Sequence, residues 1–127
     1  MPAFADLRVH VSRVLLANWR PRDESDDSPP DPFIVVIVSS GKSQQRVQTR
    51  VHNDTLSGHF DETFLFSNVS VDASVEMIVY DADKDFKDVM GYVNTTPGAV
   101  VQSGWNAQLH LYTFADLEGI VANVTYA

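Results

Sequence analysis

The side chains with the most chemical content lie in Tyr80-Asp81-Ala82-Asp83-Lys84-Asp85-Phe86-Lys87-Asp88-Val89-Met90-Gly91, where four aspartates fall within eight residues. They follow the alternating run Val75-Glu76-Met77-Ile78-Val79-Tyr80, so a strand delivers an acidic loop that closes on an apolar pair and a glycine. Carboxylates held this close repel one another and raise each other's pKa unless a cation neutralises them. The donors are oxygen alone, with neither Cys nor His, which suits a hard ion. Calcium takes roughly six to eight oxygens in a flexible shell and fits such a loop better than magnesium does. The same residues also make an ordinary solvated turn, since Asp is a common turn former. Both readings stand on this stretch alone.

A second acidic stretch, Asp23-Glu24-Ser25-Asp26-Asp27-Ser28-Pro29-Pro30-Asp31-Pro32, carries five acids and three prolines and reads as a loop. Residues 23 to 31 and 81 to 88 together hold nine of the seventeen acidic side chains. The two clusters gain meaning only if the fold brings them together. A formal net charge of −8 argues against nucleic-acid binding, whose footprint is a basic patch.

Enzymatic readings find little support. The four histidines, His10, His52, His59 and His110, show no metal-ligand spacing, and there is no glycine-rich phosphate loop or nucleophile elbow. Asp61 and Glu62 are neighbours on an expected strand and so face opposite ways. With no cysteine, disulfides, zinc-thiolate sites and a cysteine nucleophile are excluded, which fits a reducing compartment. Met1 to Arg8 lacks the apolar core of a signal peptide, and the run Phe33 to Val38 is far too short to cross a bilayer. The glycosylation-type triplets at Asn53, Asn68, Asn94 and Asn123 are therefore read as chance occurrences, and a cytoplasmic protein is expected.

The elements that must position the acidic loops are strands. A chain of 127 residues makes one domain, spanning 1–127, with enough core to need no staples. Leu7 to Ser12, Arg46 to Val51, Ser74 to Tyr80 and Ala107 to Tyr112 alternate apolar and polar. Phe33 to Val38 is apolar throughout and β-branched, which predicts a central strand covered on both faces. Phe60 to Phe66 places Phe60, Phe64 and Phe66 on one face, Val89 to Val93 leaves the acidic loop, and Ile120 to Tyr126 closes the chain. Thr96-Pro97-Gly98 breaks the pattern, and one helical turn is expected over Ala99 to Gln102. Trp19 and Trp105 are read as packing residues. Eight short strands with turn signals between them predict an all-β fold, an antiparallel Greek-key β-sandwich.

Four motifs then resemble one family, the C2 domain, a calcium-dependent, phospholipid-binding β-sandwich. Leu7-x-Val9-x-Val11 resembles its opening strand. Asp31-Pro32-Phe33-Ile34-Val35 is similar to the family's Ser-Asp-Pro-Tyr-Val, with Pro30 in place of the serine. Thr55 to Phe66 aligns without gaps to Thr-Leu-Asn-Pro-x-Trp-Asn-Glu-x-Phe-x-Phe. Tyr80-Asp81-x-Asp83 and Asp88-Val89-Met90-Gly91 resemble the family's third loop. The similarity runs on through Trp105, Leu109 and Gly119 to Tyr126. A chain that opens at Leu7 and ends on an extra strand resembles the type II circular permutant.

The resemblance implies that the first loop, about 18–32, and the third, about 81–90, meet at one end of the sandwich. Their carboxylates would hold two or three calcium ions, and the loaded tip would dock on anionic phospholipid. Asp31, Asp81, Asp83 and Asp88 match the family's ligand positions. The remaining first-loop ligand falls to Asp26, with Asp23 and Asp27 as alternatives, because Ser25 occupies the family's usual position. The third loop is one residue short of the family pattern, which leaves Asp85 as a substitute ligand. Phe86 at the loop crest either inserts among acyl chains or folds back, and Lys84 and Lys87 either meet headgroups or relieve repulsion between aspartates. Arg46, Arg50 and Lys42 make a thin basic face, so phosphatidylserine is expected to matter more than phosphoinositide. The expected behaviour is cytoplasmic, with peripheral membrane association on calcium binding, in signalling or trafficking. The competing expectation is a calcium-independent protein-interaction module.

Overall fold

The computed structural model describes residues 4–15, 31–52, 57–82, 87–102, 107–108, 112–113 and 119–126. Strands β1 (Phe4–Leu15), β2 (Pro32–Ser40), β3 (Ser43–Gln48), β4 (Ser57–Ser70), β5 (Ser74–Ala82) and β6 (Lys87–Thr95) precede helix α1 (Pro97–Gln102). The two-residue strands β7 (Ala107–Gln108) and β8 (Tyr112–Thr113) and a final strand β9 (Gly119–Tyr126) complete the order. They form two antiparallel sheets, β4-β1-β9-β7 and β3-β2-β5-β6-β8. The chain crosses between sheets after β1, β3 and β4 and around β7 to β9, which matches the expected β-sandwich. The first and last strands lie side by side, Val9 opposite Val124.

One core joins the sheets. Leu7, Val9 and Val11 on β1, Phe60 and Phe66 on β4, and Ala122 and Val124 on β9 meet Ile34, Val36 and Val38 on β2 and Val75, Met77 and Val79 on β5. The alternation of β1 and β5 is thus the alternation of core and outer face. Phe64 packs against the same core as Phe60 and Phe66. On β2 the expectation of two covered faces holds. Ile34, Val36 and Val38 point into the sandwich, while Phe33, Val35 and Ile37 form a separate outer cluster with Ile78, Tyr80 and Ala82. Phe33 stacks on Tyr80 with ring centroids 5.3 Å apart.

Three local features depart from simple alternation. The β1–β4 register shifts between Ala5 and Leu7 and again between Val11 and Arg13. The β4 residues absorbing these shifts include Asp61 (φ 50) and Asn68 (φ 57), short polar side chains that tolerate the left-handed region. Helix α1 starts at Pro97 rather than Ala99, because the Thr96 hydroxyl caps the Ala99 amide at 3.1 Å and proline suits a first helical position. The strand expected over Ala107 to Tyr112 contributes β7 to one sheet and β8 to the other. Period-two alternation cannot tell which sheet a strand joins, so this split is invisible in the pattern.

Candidate functional site

The acidic edge is built by the register of three neighbouring strands. Pro32 on β2 lies opposite Asp81 on β5, and Asp81 lies opposite Asp88 on β6. Asp31 immediately precedes β2, so Asp31, Asp81 and Asp88 fall at one end of one sheet. With strands about 4.8 Å apart, the outer two backbones are separated by only about 10 Å. Asp31 and Asp81 touch: the Asp31 amide donates to Asp81 Oδ1 at 2.9 Å, and the Ala82 amide donates to the Asp31 carbonyl at 2.9 Å. Both residues are half-buried. The β5–β6 hairpin closes Asp81 on Asp88 and Ala82 on Lys87. Residues 16–30 leave β1 after Leu15 and return at Asp31, so the first acidic stretch also ends at this edge.

A second connection arrives here that the acidic pattern did not flag. Thr49, just past β3, is buried, and its hydroxyl accepts from the Ile34 amide at 2.9 Å and donates to the Arg50 carbonyl at 3.0 Å. The Thr49 amide donates to the Ile34 carbonyl at 2.9 Å, and the His52 amide donates to the Pro32 carbonyl at 3.0 Å. The His52 ring meets Phe60 edge-on at 4.7 Å, and its Nε2 is buried with no hydrogen-bond partner among the described residues. Thr49 was legible in part: it continues the inward parity of Val47, and a polar side chain turned inward at a strand end must satisfy a backbone group. His52 carried no such signal.

Asp31 and Asp81 are therefore brought together, and Asp88 and Lys87 are placed by register. Asp23, Asp26, Asp27, Asp83, Lys84, Asp85 and Phe86, with Trp19 and Trp105, lie outside the described residues. Among the described residues no three Asp, Glu or His side chains gather into a metal-binding group. The donors at Asp31 and Asp81 are carboxylate oxygens, which fit a hard cation.

Elsewhere the polar groups have local partners. His10 joins Thr63 Oγ1 through Nδ1 at 2.7 Å and Asp61 Oδ1 through Nε2 at 3.0 Å, on the outer face of β1 and β4. Glu62 instead accepts from the Arg50 amide at 3.0 Å, and the Arg50 guanidinium donates to the His59 carbonyl at 3.2 Å. Asp61 and Glu62 thus serve different partners, and no carboxylate pair forms. Arg46 and Lys42 are exposed, and Arg46 lies opposite Ile37, beside the outer apolar cluster. No helix among the described residues is long and apolar enough to cross a membrane.

The sequence matches the family described as the C2 domain over residues 6–111. The chain belongs to the C2 domain family. No curated protein sequence matches it. Its fold is similar to a C2 domain, domain A, of plant extended synaptotagmin 1, with a TM-score of 0.72 and 20% identity over 99% of this chain and 96% of that one. It is also similar to a calcium-bound pair of C2 domains, A and B, of extended synaptotagmin 2, with a TM-score of 0.78 and 18% identity over 99% of this chain and 46% of that one. Human GIVD cytosolic phospholipase A2 gives a TM-score of 0.77 at 20% identity over 98% of this chain. This C2 domain spans only 16% of that phospholipase, so the likeness is to one module of a larger protein. At these identities the neighbours speak to fold alone.

Proposed function

We propose that this C2 domain binds calcium at the edge formed by β2, β5 and β6 and docks there on anionic phospholipid. The observation that carries the reading is the contact of Asp31 with Asp81 across 50 residues of sequence, with Asp88 in register beside them. Asp31, Asp81, Asp83 and Asp88, with Asp26 from the first loop, are the ligands. The stoichiometry is two or three ions. A calcium-bound relative of the same fold supports the choice of ion.

Charge explains the coupling to lipid. A chain of net charge −8 carries its densest acids on these loops. The anionic cytoplasmic leaflet, at a surface potential of about −30 mV, repels such a tip. Bound calcium supplies positive charge and coordination sites for phosphate oxygens. Phe86 then enters the acyl region while Lys84 and Lys87 meet headgroups. Phosphatidylserine is favoured over phosphoinositide, because the outer face of β2 is apolar, with Arg46 at its margin.

Vesicle sedimentation tests the reading. Vesicles containing phosphatidylserine should retain the protein in calcium and release it in chelator, and neutral phosphatidylcholine vesicles should not retain it. The double variant Asp81→Asn with Asp83→Asn should lose the calcium-dependent fraction. Binding that survives chelation, or a protein that ignores calcium altogether, would favour a calcium-independent protein-interaction module. Equal retention by neutral and serine-containing vesicles would refute the lipid preference.

A further inference from the structure

The end of the β2–β5 ladder is closed by a side chain. Pro32 pairs with Asp81, and the next step joins Asp31 to Ala82, whose amide donates to the Asp31 carbonyl at 2.9 Å. In a regular antiparallel pair the return bond runs from amide to carbonyl. Here the Asp31 amide donates to Asp81 Oδ1 at 2.9 Å. Pro32 has no N–H, so Asp31 supplies the last amide donor at this end of the strand. The opposite flank of β2 uses the same device. Ile34 returns its hydrogen bond from Thr49 through the Thr49 hydroxyl at 2.9 Å, while the Thr49 amide meets the Ile34 carbonyl. Two side-chain oxygens, one from the end of β5 and one from the connection after β3, thus fix the start of β2.

We propose that the Asp81 carboxylate is a positioning group that locks the Asp31 backbone in place before any ion arrives. A bond from an amide to a carboxylate is charge-assisted and stronger than a neutral one, so it holds the return of the first loop firmly. One Asp81 oxygen is engaged in this way. Its purpose rests on the calcium reading above, while its geometry does not. Because the loop return is set in advance, an ion meets Asp31 already aligned with Asp81 and does not have to order that backbone itself.

The test compares wild type, Asp81→Asn, Asp81→Ala and Asp88→Asn by amide hydrogen exchange at Asp31 in chelator and by the thermal shift on adding calcium. Asparagine keeps an oxygen acceptor and loses the charge; alanine loses both. The Asp31 amide should exchange within about threefold of wild type in Asp81→Asn and at least about tenfold faster in Asp81→Ala. Asp88→Asn should leave that amide at the wild-type rate. All three variants should lose most of the calcium shift. Wild-type exchange in Asp81→Ala, or equal acceleration in the asparagine and alanine variants, would overturn the positioning role. If wild type itself shows no calcium shift, the calcium reading fails, and exchange in chelator still decides the positioning role. None of the four proteins differs in a core residue, so each is expected to fold.

Discussion

Replacing Thr49 by valine keeps the shape of a buried side chain and removes the one hydroxyl that closes β2 against β3. Thr49 is 2% exposed, and its hydroxyl serves both the Ile34 amide and the Arg50 carbonyl. The substitution leaves the Ile34 amide buried without an acceptor, at a cost of about 1–3 kcal/mol. Losing the half-exposed bond to Arg50 adds about 0.5 kcal/mol, and the gained methyl returns a similar amount. The net loss is about 2 kcal/mol. With an unfolding entropy of about 2.1 cal/mol/K per residue, the 127 residues give about 0.27 kcal/mol/K, so the melting midpoint should fall by about 7 °C. The assay is a thermal melt in chelator, with urea unfolding as the second probe. Thr49→Ser keeps the hydroxyl and should fall by less than half as much. A Thr49→Val midpoint within about 2 °C of wild type, or a serine variant as unstable as the valine variant, would refute the account of this flank.

Further predictions concern the core, the alkaline limit and the membrane. Phe66→Ala should cost about 3–5 kcal/mol through a core cavity, whereas truncation of its neighbour Leu65, 72% exposed, should change urea stability by less than about 0.5 kcal/mol. The Tyr126 hydroxyl donates to the Val69 carbonyl at 2.6 Å; burial pushes its pKa above the ordinary 10.0, the Asp72 charge adds to this, and an Ala5 backbone hydrogen bond opposes it. A group raised in the folded state contributes stability that is whole below the unfolded pKa and is lost as pH climbs through the folded one. Wild type should therefore lose stability in alkali above about pH 10, and Tyr126→Phe should flatten that limb in melts taken across the range; an unchanged limb counts against the assignment. Phe86→Ala should weaken calcium-dependent vesicle binding by roughly tenfold or more, as expected for an aromatic ring that leaves water for the acyl region.

The sequence makes some of this architecture plain and hides the rest for identifiable reasons. Val9, Val11, Val75, Met77 and Val79 announce their strands because one side of each faces the core, and burial imposes period two. Phe33 to Val38 announces a doubly covered strand because both of its faces carry apolar side chains. Asp61 and Asn68 sit in register shifts between β1 and β4, and nothing in Asp61-Glu62-Thr63 or Ser67-Asn68-Val69 distinguishes a bulged strand from a polar edge. Ala107 to Tyr112 reads as one strand because alternation records a face and not a partner sheet.

The candidate site divides in the same way. Composition picks out both acidic stretches, and family resemblance supplies the expectation that they meet. Physical contact between Asp31 and Asp81 depends on the β2–β5 register, a long-range property that no local pattern contains. Asp81 reads as an ion ligand in the sequence, and only the geometry reveals that its carboxylate also holds the Asp31 amide. His52 reaches the same edge through a backbone bond to Pro32, which leaves no trace in side-chain pattern.

Calcium binding at this edge is the central claim, and a thermal melt in chelator, in millimolar calcium and in matched magnesium tests it most directly. A ligand at about a hundred times its dissociation constant stabilises the folded state by roughly 2.7 kcal/mol. For 127 residues that corresponds to a rise of about 10 °C. The account predicts a rise of this order with calcium and little change with magnesium, and loss of the calcium response in Asp81→Asn. Identical midpoints in all three solutions, with phosphatidylserine vesicles present as well as absent, would contradict it.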